Sequence, residues 1–101
     1  PPTLPLDAYI VHQGQITGRY ALQVAEAARD AGLQVLCHAG SGKFASQMKK
    51  ADASGAHWAL IIGDDEATHT TLTLKPLRNA TSQVTLPLAD ALKKLVENHG
   101  T

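Results

Sequence analysis

Trp58-Ala59-Leu60-Ile61-Ile62-Gly63-Asp64-Asp65-Glu66 is the stretch on which the fold turns. Its first five residues show no polar alternation, the pattern of a strand covered on both faces, and the glycine and acids that follow end it. Such a strand needs helices above and below. Upstream, Phe44, Met48 and Ala51 fall at i, i+4 and i+7, the apolar stripe of a helix that should stop near Gly55. Ala39-Gly40-Ser41-Gly42 precedes that helix and breaks a strand over residues 33–37. Earlier still, Leu22, Ala25 and Ala28 recur at helical spacing over residues 17–31, with Arg19, Glu26, Arg29 and Asp30 opposite and Gly32 where a C-cap is expected. Tyr9, Ile10 and Val11 are β-formers and predict a short buried strand ending near His12.

Downstream the pattern changes. Thr71, Thr73 and Lys75 alternate with Leu72 and Leu74, and Gln83 and Thr85 with Val84 and Leu86, as in strands wet on one side. From Pro87 onward Leu88, Leu92, Leu95 and Val96 predict the inner face of a closing helix, with Lys93, Lys94 and Glu97 outward. The order β-α-β-α-β-β-β-α opens with two βαβ units, whose crossovers keep the early strands parallel. It predicts an α/β fold, a three-layer α/β/α sandwich. The usable crevice of such a sheet lies beyond the carboxyl ends of its strands, here residues 12–15, 38–43 and 63–66.

The chain has 101 residues, 44% of them hydrophobic, enough for one core and too few for a second domain. Its longest apolar run, Trp58–Ile62, is far short of the roughly 20 residues that span a bilayer. Cys37 is the only cysteine, which excludes an intramolecular disulfide and suits a reducing compartment, so the expected location is the cytoplasm, away from membranes. Zero net formal charge argues against nucleic-acid binding through bulk positive charge but permits a local basic site. The proline-rich start reads as a linker over residues 1–7 leaving something larger, with one domain over 8–101.

Gly40-Ser41-Gly42-Lys43 resembles a phosphate loop, but Cys37 stands where that pattern needs glycine and Phe44 where it needs serine or threonine. A flexible turn, or backbone amides facing a nucleic-acid phosphate, are the remaining readings. Lys43, Gln47 and Lys50 recur at i, i+4 and i+7 beside Lys49, which predicts a cationic strip that is either merely solvated or tracks an RNA backbone. Asp64, Asp65 and Glu66 suit turn chemistry, a magnesium ion or a phosphoryl acceptor, and a carboxylate such as Glu66 also suits the amino and imino edges of an unstacked base. The histidines at 12, 38, 57, 69 and 99 lack metal-site spacing, although His12, His38 and Cys37 are candidates to meet at neighbouring strand ends. Ser41 and Ser46 lack the base and orienting carboxylate of a nucleophile, Cys37 is expected in or beside a buried strand, and Trp58 reads as core.

The run from Lys43 through Phe44, Gln47, Lys49, Ala51-Asp52 and Gly55-Ala56 to Gly63-Asp64-Asp65-Glu66 resembles the C-terminal anticodon-binding domain of bacterial histidyl-tRNA synthetases, of the class II aminoacyl-tRNA synthetase family. Lys75-Pro76-Leu77-Arg78 and Gln83 continue the likeness, and Ala8 to Val11, Ala25-Glu26 and Gly32-Leu33 match the family's opening βαβ unit. The resemblance implies a mixed five-stranded sheet whose fourth strand is antiparallel. It also implies base contact by Glu66 and Lys75, with Ser41 or Lys43 as the nearest counterpart of a polar contact before the second helix. Relatives can carry arginine where this chain has Lys75, which weakens any forked hydrogen bonding there.

The expected partner is the anticodon loop of histidine tRNA. Gly40, Ser41, Gly42, Lys43, Gln47 and Lys50 would hold its backbone, Glu66 and Lys75 its bases, and Arg78 would assist. The resemblance places ATP, magnesium and histidine attachment in a separate catalytic domain and leaves this domain without cofactor, metal or catalytic residue. The whole enzyme would be a homodimer. Two rival readings are a regulatory synthetase paralogue that binds protein or another RNA, and a flavodoxin-like or receiver-like domain built on Asp64 or Asp65.

Overall fold

The computed structural model describes residues 6–39 and 42–99. Five strands, β1 (Ala8–His12), β2 (Val35–Cys37), β3 (Trp58–Ile62), β4 (Thr71–Pro76) and β5 (Val84–Pro87), form one sheet in the order β2-β1-β3-β4-β5. β1 pairs in parallel with β2 and β3, and β4 runs antiparallel to both β3 and β5. The mixed sheet and its antiparallel fourth strand match the expected architecture.

The helices are α1 (Thr17–Asp30), α2 (Phe44–Ala53), α3 (Asp64–His69) and α4 (Leu88–Glu97). Alternation along the strands sends Ala8, Ile10, Leu60, Ile62, Leu72 and Leu74 to one face, where they pack with Tyr20, Val24 and Ala28 of α1 and Ala91 and Leu95 of α4. Tyr9, Val11 and Ala59 point to the other face and meet Ala51 of α2, with Met48 and Ile61 beside them. Trp58 is half-buried against the first of these clusters, as its apolar neighbours predicted.

Two helices turn differently from the sequence reading. The buried stripe of α1 is Thr17, Tyr20, Ala21, Val24, Ala25 and Ala28, while Leu22 is 62% exposed. Steps of three, as from Leu22 to Ala25 to Ala28, drift about 60° around a helix of 3.6 residues per turn, so that series leaves the core face. On α4, Val96 is 43% exposed, and Ala91 is the buried position that the leucine pattern passed over.

α3 is an element the sequence order lacked. Asp64, Asp65 and Glu66 occupy its first turn, where acids complement the positive end of the helix dipole. Glu66 Oε1 accepts the Gly63 N–H at 2.6 Å, the back-reaching half of a capping box. Thr70, at φ 55°, stops the helix and turns the chain into β4.

Asp7 is buried, accepts the Gln34 N–H at 2.8 Å and pairs with His99 at 2.7 Å, and Leu6 packs against the second cluster. The folded part therefore takes in two residues of the expected linker. Residues 1–5 lie outside the described part.

Candidate nucleic-acid interface

The chain runs from β1 through α1 to β2 on one side and from β2 through α2 to β3 on the other. The reversal falls between β1 and β3, where a crevice is expected at the carboxyl ends. Asp64 fills it. Its carboxylate accepts the N–H groups of Ile16 at 3.1 Å and Gln15 at 3.3 Å, tying the loop after β1 to the start of α3. Those bonds engage both of its oxygens, and no metal-binding group of three or more histidine, cysteine or acidic residues occurs among the described residues.

The open surface lies to one side of that crevice. α2 packs over β1, and alternation along β4 and β5 places Thr73, Lys75 and Thr85 on the same side of the sheet as α2. Lys75 and Thr85 are exposed there, and the Thr73 and Thr85 hydroxyls meet across the strand pair at 2.7 Å. Glu66 stands at the rim of this face, with Oε2 3.5 Å from the Thr73 hydroxyl. Glu66 and Lys75 are thus brought to one sheet face, as a joint contact with RNA bases requires.

The expected lysine strip is divided by α2. Lys43 is exposed at the helix N-terminus, on the same edge of the sheet as Glu66. Lys50 lies close enough to His38, beyond β2, to oppose its protonation, whereas Asp52 on the other flank of α2 pairs with Arg78 at 3.2 Å. The helix therefore stands between Lys50 and the Glu66–Lys75 face. Gly42 precedes Lys43 near the His38 ring, and Gly40 and Ser41, expected to contact RNA, lie outside the described residues.

Gln47 corrects the sequence reading. It was expected on the RNA side of α2 but is fully buried, and the inner face of the helix is Gln47 and Ala51, with Met48 half-buried and Phe44 exposed. β2 stops at Cys37, so beyond it the peptide groups of His12 have no strand partner on that side. The Gln47 side chain replaces the missing strand: Oε1 accepts the His12 N–H at 2.8 Å, and Nε2 donates to the His12 carbonyl at 2.8 Å and the Gly42 carbonyl at 3.1 Å. A primary amide offers the same donor and acceptor as a peptide group. Polarity hid this role, since only a buried, unpaired strand end calls for glutamine there.

Arg78, although exposed, is engaged by the main chain. It donates to the carbonyls of Ala56 at 3.0 Å and Asp52 at 2.7 Å, fastening the end of β4 to the end of α2.

His12 and His38 do meet, with ring centroids 6.4 Å apart. His12 Nε2 donates to the His38 carbonyl at 3.2 Å, and His38 Nδ1 and the Tyr9 hydroxyl share a hydrogen bond of 3.0 Å. Burial, then Lys50 and His12, push the His38 pKa below the ordinary imidazole value. The unfolded chain thus binds this proton more readily, so His38 contributes stability above about pH 6.5 that is lost as pH falls through its lowered folded value. Urea melts across that window are expected to show falling stability on acidification, with a shallower dependence in His38→Gln.

Residues 7–98 match a family model described as an anticodon binding domain. The chain is 51% identical over 85 residues to the histidine–tRNA ligase of Nitrosomonas europaea, covering 84% of this chain and 20% of that protein. Apo histidyl-tRNA synthetase from S. aureus superimposes with a TM-score of 0.80 at 27% identity, covering 91% of this chain and 23% of that one. The RNA binding domain of threonyl-tRNA synthetase from Cryptosporidium parvum gives 0.86 over 92% of this chain and 23% of that one, at 20% identity, a likeness of fold alone. The chain spans about a fifth of the length of the curated relatives it matches.

Proposed function

The chain belongs to the anticodon binding domain family, and from that premise we propose that it recognises the anticodon loop of histidine tRNA as the RNA-gripping domain of a histidine–tRNA ligase. One observation carries the reading: Glu66 stands at the rim of a sheet face left open beside α2, with Thr73, Lys75 and Thr85 along it. Unpaired anticodon bases expose the hydrogen-bonding edges that an RNA helix hides, and a carboxylate beside a lysine offers both an acceptor and a donor to them. Lys43, at the N-terminus of α2, and Lys50, on its far flank, serve the phosphates, which they neutralise without reading sequence. Activation of histidine with ATP and magnesium, and its transfer to the tRNA, fall to a catalytic domain outside this chain, in a homodimeric cytoplasmic enzyme.

The test is binding of cognate and base-substituted anticodon stem-loops to Glu66→Ala and Lys50→Ala. Glu66→Ala is expected to cost about 1–3 kcal/mol on the cognate loop only, whereas Lys50→Ala weakens all loops alike and lowers the salt slope by about one. Unchanged discrimination in Glu66→Ala would remove the base-reading role.

A further inference from the structure

Glu66 is held from two sides. Oε1 is fixed by the Gly63 N–H at 2.6 Å, and Oε2 faces the Thr73 hydroxyl at 3.5 Å, a long contact whose direction is set by chemistry. A carboxylate only accepts, so Thr73 must be the donor. Each threonine has one hydroxyl proton. With that of Thr73 turned toward Glu66, the 2.7 Å bond to Thr85 is made with Thr85 as donor. The Thr85 oxygen is then left with free lone pairs and no proton to give. Thr73 is 5% exposed, Glu66 half-buried and Thr85 exposed, so the chain of hydroxyls runs from the carboxylate through a buried hydroxyl out to the open face of β5.

We propose that Thr85 is a specificity-determining residue: through Thr73 it orients the Glu66 carboxylate, and its own oxygen presents a second acceptor on the same face. The site then favours an unpaired base whose edge carries N–H donors and disfavours one that presents carbonyl or ring-nitrogen acceptors. Such a base brings donors to the Glu66 carboxylate and the Thr85 oxygen, whereas an edge of acceptors alone sets lone pairs against lone pairs there and has only Lys75 to meet it. The inference rests on the base-reading role of Glu66.

The experiment compares binding of the cognate stem-loop with stem-loops carrying one substituted anticodon base, in Thr85→Val, Thr85→Ser and Glu66→Gln. Valine keeps the shape and strand preference of threonine and deletes only the hydroxyl. Thr85→Val is expected to cut the ratio of cognate to substituted affinities about tenfold, Glu66→Gln at least as much, and Thr85→Ser little. Thr85→Ala repeats the deletion should valine disturb the strand. If Thr85→Val and Thr85→Ala keep the ratio while Glu66→Gln collapses it, the role of Thr85 fails and that of Glu66 stands. A loss in Thr85→Ser equal to that in Thr85→Val would also overturn the inference, because the hydroxyl would then be irrelevant. If no substitution changes the ratio, the base-reading role of Glu66 falls and takes the inference with it.

Discussion

Gln47→Leu is expected to cost the fold about 4 kcal/mol and to lower its melting temperature by roughly 20 °C. Leucine fills the buried space, so little of the loss comes from a cavity. The cost arises because the His12 N–H and the His12 and Gly42 carbonyls lose their partner together, beyond the point where β2 ends. Polar groups left unpaired away from water carry a penalty of about 1–3 kcal/mol each, most of it here at the half-buried His12 since Gly42 is exposed, and the greater apolarity of leucine offsets only part of that sum. Gln47→Glu keeps the acceptor for His12 but turns oxygens toward two carbonyls, so it should be destabilised as well. Thermal melts followed by circular dichroism check both. A melting temperature in Gln47→Leu within a few degrees of the parent would mean that the amide bonds are dispensable and the stub of β2 needs no substitute.

The second large effect is expected at Gly14. Its φ of +157° is one that side chains rarely adopt, and an added Cβ would collide with Asp64 Oδ1 and come within 2.8 Å of Asp64 Cγ and 2.9 Å of Thr17 Cγ2. Gly14→Ala must therefore both strain the backbone and push the Asp64 carboxylate off the Gln15 and Ile16 N–H groups, at about 3 kcal/mol in total. Because part of that loss is the Asp64 contact itself, Asp64→Ala added to Gly14→Ala should cost less than Asp64→Ala alone. Urea unfolding of the two single variants and the double variant measures this. Strict additivity would show that glycine serves only the backbone.

The five strands were legible because their apolar periods differ, unbroken in Trp58–Ile62 and alternating around Leu72, Leu74 and Leu86, whereas the mixed sheet with its antiparallel fourth strand came from the family resemblance. Gly32 and Gly55 marked helix ends correctly, and both take positive φ. What stayed hidden is polar structure that serves the backbone. Gln47 looked like part of a charged strip, Arg78 like a helper for RNA and Asp64 like a site, yet each spends its hydrogen bonds on main-chain groups that only the folded arrangement leaves in need. α3 escaped for a related reason, since acids after a strand read as a turn unless Glu66 is seen to reach back to Gly63. Thr73 and Thr85 were legible only as wet strand positions, and their pairing needed the β4–β5 register.

The central claim is that RNA meets the sheet face beside α2 at Glu66. Titrating the isotope-labelled chain with the histidine anticodon stem-loop while recording amide chemical shifts tests it most directly. The account predicts that the largest shifts fall on Gly63, Glu66, Thr73, Lys75 and Thr85, with smaller, salt-sensitive ones at Lys43 and Lys50. Shifts confined to the outer surfaces of α1 and α4, leaving β4 and β5 unmoved, would contradict it.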